Sequence, residues 1–484
     1  MKRPHLKNLS ANALQLIFNQ LLGLVIFYVL STSLGKDSFG QINLALAILL
    51  AVFNILSCGM DQLIVRKIAS GDDKESALSL YITHTLITGL VFYGLLFTGY
   101  IWLPNLPAVY NLLLLIGIGK LMIYFSTPYK QAANGLEMFN LLARLSVISN
   151  LVRAVCLLIF LILHKLGLTT IIAIFIAGDA LEFVTGLLLF KRSTQIRIVV
   201  KWDRANYFNL LREALPQMGV VLITSSLARF DWIFIGFMLS AVKLAEYSFA
   251  YKLFELATLP LLAIAPLLIP RFTKMFKQGD INTESLKFLI RIEITIAAFT
   301  VLVLNIYWAP VIDWLTGGKY GAVNINTIFI LSLCLPLLYI ENFLWTMFFA
   351  QGRLKMILNA FIVTLAVNMA GDIMLIPIYK NEGAAIAFLL ACIAQAIFYS
   401  CKNTLPDLNK IWQPLIICMA CALGSCFAAK ALFAAGWPVI PCSIINYWIL
   451  LFLTGQIQVK DTQRFKTIFG QVPPLQATKP NFRP

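Results

Sequence analysis

Charge is what this sequence has least of. Only 12% of its 484 residues are Asp, Glu, Lys or Arg, about half the share found in soluble domains. Histidine is scarcer still: His5, His84 and His164 are distant in sequence and fall in loops or at helix edges. They form no acid–base or metal constellation, so no catalytic residue and no metal ligand is expected. The short alternating segments of a membrane β-barrel are missing as well. Nine cysteines are present, Cys58, Cys156, Cys334, Cys392, Cys401, Cys418, Cys421, Cys426 and Cys442, all in or at the edges of apolar segments. The Cys418–Cys421 pair has the CxxC spacing but no nearby His or carboxylate, and reads as two small hydrophobes. Disulfide-stabilised ectodomains are not implied.

What is present is apolar. Hydrophobic residues make up 60% of the chain and the mean hydropathy is +0.83. Runs of the length that crosses a bilayer recur up to residue 454. The expected fold class is an all-α polytopic membrane protein, because in lipid a helix satisfies its own backbone. We count fourteen candidate spans: 9–32, 41–60, 78–103, 109–127, 146–163, 169–190, 213–239, 244–270, 289–312, 325–350, 356–377, 383–401, 412–435 and 437–454. The basic start MKRPHLKNLS leads into an apolar run without a convincing cleavage site, and reads as the entry to the first membrane helix.

The formal charge of +16 invites a nucleic-acid reading, but the basic residues are spread over many short loops. Alternate connections hold 27 Lys and Arg, against five (Lys36, Lys165, Lys243, Lys319 and Lys380) on the opposite side. Positive charge stays on the cytoplasmic side, so both termini are expected there, and no nucleic-acid partner is expected. The longest charged connection, Lys191 to Arg212, separates two groups of six spans. Its basic residues suit anionic headgroups or a phosphate-bearing ligand, although orientation alone explains them.

The two groups echo each other. LGKDSFGQINLALA, around Gly35 to Ala47, resembles LSAVKLAEYSFAYKL, around Leu239 to Leu253. ANGLEMFNLLARLSVISNLVR, from Ala133, resembles AQGRLKMILNAFIVTLAVNMAG, from Ala350. The implied domains are an N-terminal six-helix bundle (1–205), a C-terminal six-helix bundle (206–405), and two added helices with a basic cytoplasmic tail (406–484). Paired halves are a common construction of alternating-access carriers.

Several segments carry a family resemblance. FGQINLALAILLAVFNILSCGMDQLIVRKIA, DWIFIGFMLSAVKLAEYSFAYKLFELATLPLLAIAPLLIPRF and NMAGDIMLIPIYKNEGAAIAF resemble the polysaccharide-export branch of the multidrug/oligosaccharidyl-lipid/polysaccharide exporter superfamily. The likeness runs over roughly residues 8 to 455 and implies a twelve-helix core around a central cavity. It further implies a flippase for undecaprenyl-pyrophosphate-linked oligosaccharide, acting as a monomer in the bacterial inner membrane. Its partners would be membrane lipid and a glycan polymerase or chain-length regulator. One departure is Glu246, where relatives usually carry glycine before the tyrosine; this carboxylate is either exposed at the outer face or alters gating. The rival readings are a peptidoglycan-precursor flippase and an ion-coupled multidrug carrier of the same superfamily. A polymerase or ligase is disfavoured, because the longest outer connection, near Asp313 to Asn324, has no acid–base or metal constellation.

Charges at membrane depth are costly and mark the candidate site. Arg229, Lys252 and Arg291, with Lys120 and Arg153 in the other half, are the candidates for binding pyrophosphate or acidic sugars. The competing reading pairs these cations with Asp231, Glu255 and Glu293, or lets Arg291 snorkel to the interface. Lys252 and Glu255 are three residues apart on one helix face, so mutual neutralisation competes directly. Asp179 leads the ion-coupling candidates, with Glu182, Asp231, Glu255, Glu341 and Asp372 behind it. No cofactor is expected; H+ and Na+ coupling are both open. Pro260 and Pro266 are the candidate hinge, because each removes a backbone donor inside the 244–270 span. Trp202, Trp232, Trp308, Trp314, Trp345 and Trp448 read as interfacial belts before sugar platforms.

Overall fold

Apolar runs that cannot expose backbone to lipid close their hydrogen bonds locally, and the chain folds accordingly as helices. The computed structural model describes residues 4–71, 74–103, 106–194, 196, 203–278, 283–306, 308–403, 411–433, 438–458 and 461. The first half contains α1 (Pro4–Ser33), α2 (Lys36–Leu56), α3 (Met60–Ser70), α4 (Lys74–Trp102), α5 (Ala108–Gly135), α6 (Phe139–Ile162) and α7 (Leu168–Ser193). Then follow α8 (Arg204–Met238), α9 (Ala241–Ala257), α10 (Leu259–Gln278), α11 (Thr283–Ile306), α12 (Trp308–Thr316), α13 (Ile325–Ala350), α14 (Leu354–Lys402), α15 (Trp412–Phe433) and α16 (Val439–Leu453). Eight of the described helices are long and apolar enough to cross a membrane, and shorter apolar stretches lie in α1, α6 and α16. This is an all-α polytopic membrane fold.

Two features differ from the sequence reading. The expected 244–270 span is two helices, interrupted at Thr258. Pro260 has no N–H to give the Leu256 carbonyl, so the ladder fails there, while Leu261 N bonds Thr258 O at 3.0 Å and starts the next turn. Pro266 lies in α10, and its side chain is outside the described residues. The expected 289–312 span is covered by α11 and the start of α12, with residue 307 between them outside the described residues. The connection after the second span contains α3, which sequence patterning did not single out; Gly59 enters it at φ +74° and Gly71 ends it at φ +87°. The 49-residue α14 is two helical arms meeting at Lys380, whose φ of 55° and ψ of −128° turn the chain.

Packing places the core where the halves meet. The largest apolar cluster joins α2 to α8 and α9 and continues into α13 and α14. The segments that echo each other in sequence, at the starts of α2 and α9, touch directly: Asn43 donates to Ser248 at 2.9 Å. A second cluster holds α11, α13, α15 and α16 together. A third unites α3, α4 and α5 with the start of α8. One end of the seam between α2, α8 and α9 therefore carries Lys36 and the other carries Lys67.

Candidate functional site

The first charged cluster is built by α5, α6 and α7. Asp179 is buried on α7 and receives Lys120 Nζ at 3.0 Å and Arg153 Nη2. One turn along, Glu182 meets Lys130 and takes the Ser149 hydroxyl at 2.7 Å. Arg153 Nη2 lies 3.6 Å from Glu182, and its Nη1 donates to Asn150 at 2.8 Å. Three cations thus face two carboxylates. Glycine allows the approach: a Cβ on Gly119 would stand 2.5 Å from Asp179 Oδ2, and one on Gly178 equally close to Arg153. Lys130 and Ser149 were not singled out in the sequence. Both sit near an expected span boundary, where an ordinary polar residue carries little signal.

The second cluster lies on α8 and α9. Lys252 Nζ reaches Glu255 at 2.8 Å, so the pairing expected from their spacing occurs. Arg229 Nη2 is 3.4 Å from the same carboxylate, and its guanidinium lies 4.4 Å from the Trp232 ring and 5.5 Å from Tyr251. Two cations share one half-buried carboxylate, and aromatic faces hold the arginine flat. Trp232 therefore serves as a platform for Arg229 rather than in an interfacial belt. Trp308 is also buried and donates to the Gly321 carbonyl at 3.0 Å, whereas Trp314 is 82% exposed. Trp202 lies outside the described residues.

Asp231 lies within coulombic reach of Arg229. It turns toward α9, taking the Tyr247 hydroxyl at 2.7 Å and the Trp232 N–H at 2.8 Å. Asp372 on α14 is within coulombic reach of Asp231 and accepts from Asn368 at 3.2 Å. Asp372 Oδ1 has no hydrogen-bond partner among the described residues. Glu341, on α13, is likewise buried with Oε1 unpartnered among them. Among the described residues no group of three or more His, Cys, Asp or Glu could hold a metal ion.

Arg291 is not brought to Arg229 and Lys252. Its Nη2 donates to both oxygens of Asp461 at 2.8 Å, on the segment after α16, while Glu293 is buried without a partner for Oε2 among the described residues. The expected pairing with Glu293 does not form. His84 also departs from its expected helix-edge place: it is buried inside α4, with Nε2 2.7 Å from the Leu56 carbonyl and Nδ1 2.9 Å from the Tyr207 hydroxyl. Glu246 is buried rather than exposed.

A cavity of about 370 Å³ lies between α2, α3 and α5. Its polar lining includes Asn54, Ser57, Asp61, Lys120, Tyr124 and Thr127, and its apolar wall includes Leu46, Leu49 and Phe53. Asp61 stands in the first turn of α3, where the helix dipole favours its charge, and accepts from Tyr81. The volume falls within the range of small-molecule sites, with apolar walls and a few oriented polar groups. Lys120 links this space to the first charged cluster.

Comparison with solved structures gives the same architecture. The lipid II flippase MurJ in an inward closed conformation superposes with a TM-score of 0.75 at 15% identity, covering 93% of this chain and 100% of that one. An inward-facing multidrug resistance MATE family transporter of the MOP superfamily gives 0.63 at 15%, over 82% and 95%. A MOP superfamily transporter from Pyrococcus furiosus, described as having a binding pocket of reverse polarity, gives 0.56 at 16%, over 84% and 96%. At these identities the likeness establishes the fold. Sequence comparison with curated proteins found no significant match. The profile of the family described as "Polysaccharide biosynthesis protein" matches residues 5–276. With the match spanning more than half of its length, this chain belongs to the polysaccharide biosynthesis protein family, on the fold shared by MurJ and the MATE transporters of the MOP superfamily.

Proposed function

We propose that the protein is a flippase that moves undecaprenyl-pyrophosphate-linked oligosaccharide units from the inner to the outer leaflet of the bacterial cytoplasmic membrane for surface polysaccharide synthesis. The observation that carries this reading is the cation excess of the first charged cluster inside apolar helices. Lys120, Lys130 and Arg153 outnumber Asp179 and Glu182. An excess cation in such a place is costly unless an anion visits it. A pyrophosphate supplies that anion, and the flat guanidinium of Arg229 can grip two of its oxygens. The family description supports a glycan substrate.

Transport makes and breaks no bond. The sugar head needs a wet path, because its hydroxyls cannot leave water unpaired, while the polyprenyl tail stays in lipid. The excess of 27 over five basic residues supports fourteen spans with both termini in the cytoplasm. That orientation makes the Lys67 end cytoplasmic and the Lys36 end outward. Residues 1–205 and 206–405 are the two moving bundles, and 406–484 adds two helices and the tail. Asp231 and Asp372, with Asn368, form the coupling site for H+ or Na+, being two buried carboxylates within coulombic reach of each other. The protein acts as a monomer and hands its product to a glycan polymerase or chain-length regulator.

The test is translocation by purified protein in liposomes, with head-group accessibility scored on each leaflet. Lipid-linked oligosaccharide, lipid-linked peptidoglycan precursor and cationic dye are offered separately. Faster exposure of the oligosaccharide supports the proposal. Preference for the peptidoglycan precursor, or dye movement alone, replaces it with one of the two superfamily alternatives.

A further inference from the structure

The two ends of the seam between the halves are closed by different chemistry. At the Lys36 end, α2 and α9 approach so closely that a Cβ on Gly40 would stand 1.8 Å from the Ala241 carbonyl oxygen. Beside that contact, Glu246 is 4% exposed and accepts from Lys36 and from Lys243, each at 2.7 Å. The neighbouring elements tie into the same place. The Lys243 carbonyl accepts from Asn381, just past the α14 bend, at 3.0 Å. Lys319 donates to the Thr32 and Leu34 carbonyls at 2.6 and 3.1 Å. Three of the five lysines on this sparsely charged side are thus spent on one closure.

The Lys67 end carries weaker ion pairs over the apolar contact of α3 with the start of α8. Gly59 lies close to the α8 backbone, where a Cβ would stand 2.4 Å from Met218 N. The ionic contacts there are Lys67 to Glu213 at 3.0 Å and Arg66 to Glu213 at 3.9 Å, with the Glu213 side chain 45% exposed and that of Arg66 72% exposed. Water and salt screen such pairs, and they contribute little. A carboxylate buried between two ammonium groups differs, because separating the helices strands a charge that burial has stripped of water. The cavity also lies behind the weaker end: its lining uses the second half of α2, the start of α3, and α5 from Lys120 onward.

We propose that Glu246 is a positioning residue for transport, clamping α2 to α9 through Lys36 and Lys243 so that the Lys67 end opens first. The clamp sets the order of opening, and therefore the leaflet from which a head group enters. What enters rests on the flippase reading; the clamp does not.

The test is hydrogen–deuterium exchange on the full-length protein in lipid nanodiscs, read on peptides covering 36–44 and 241–248 at one end and 56–67 and 211–218 at the other. In the unaltered protein the second pair exchanges faster. Glu246→Gln and Lys36→Met each speed exchange of the first pair by about tenfold and leave the second within about twofold, as expected for loss of a buried ionic contact that controls one local opening. Glu246→Asp, which keeps the charge, restores most of the protection. Equal acceleration at both ends would show general loosening and overturn the proposal, as would an unchanged first pair. No substrate is present in this measurement. A protein that moves no lipid-linked glycan in liposomes but keeps the asymmetric exchange removes the flippase reading and leaves the clamp standing.

Discussion

Arg153 and Asp179 meet because the residue before Asp179 has no side chain. A Cβ on Gly178 would stand 2.5 Å from both Cγ and Nε of Arg153, and the guanidinium reaches Asp179 only by crossing that bare stretch of α7. The ion pair and the glycine are one feature, and disturbing either disturbs a cluster that also contains Lys120 and Glu182.

Gly178→Ala is therefore predicted to displace Arg153 without altering any charge. Overpacking of this kind costs about 1–3 kcal/mol. Thermal unfolding of the purified protein should register that loss, and glycan translocation should fall at normal membrane abundance. Translocation and melting temperature both equal to those of the unaltered protein would remove the positional role given to Arg153.

Asp179→Asn should do more harm than Gly178→Ala, because it leaves Lys120 and Arg153 without their shared carboxylate. Removing one partner of a buried ion pair costs about 3–5 kcal/mol. The double variant Asp179→Asn with Arg153→Met should regain part of that stability, since it removes a stranded cation. A double-mutant cycle on unfolding free energies measures the coupling; additive losses would contradict the pairing.

Arg229 and Lys252 share Glu255, but only Arg229 lies over an aromatic ring. Arg229→Lys keeps the charge and loses the flat fork, so transport of a pyrophosphate-linked substrate should drop about tenfold, the equivalent of about 1.4 kcal/mol. Lys252→Arg should be tolerated. Initial rates in liposomes against substrate concentration separate the two, and equal effects would argue against bidentate grip by Arg229.

Pro260→Ala returns an N–H that can reach the Leu256 carbonyl and makes α9 and α10 more continuous across Thr258. If the break serves as a hinge, turnover slows while apparent substrate affinity stays the same. A change confined to affinity would place Pro260 in binding instead. Arg291→Met and Asp461→Asn offer a contrast: both should speed proteolysis of the segment after α16 equally, because each removes half of one tether.

Local pattern carried much of this into the sequence. The helical class was legible because a chain that is 60% hydrophobic can satisfy its backbone in lipid only by closing each segment on itself. Lys252 with Glu255 was legible because three residues on a helix share a face, and the break near Pro260 because a missing donor acts within one turn. The cations and carboxylates of both clusters, Lys130 excepted, stood out as charges inside apolar runs. Which of them pair did not. Arg291 finds Asp461 rather than Glu293, and Asp231 takes the hydroxyl of Tyr247 on the next helix. Glu246 is buried between Lys36, far back in the chain, and Lys243, one turn away.

By itself, then, the sequence determined that this protein is helical, that it belongs in a bilayer, and where its charges interrupt the apolar segments. These follow from hydrogen bonds and burial that each segment satisfies alone. Only the tertiary structure decided which charges neutralise each other, which of them reaches the cavity, and which end of the seam is held by a buried carboxylate. Those outcomes depend on helix faces brought within 4 Å across tens to hundreds of residues, and glycines such as Gly40 and Gly178 set that approach without any signal in the local hydrophobic pattern.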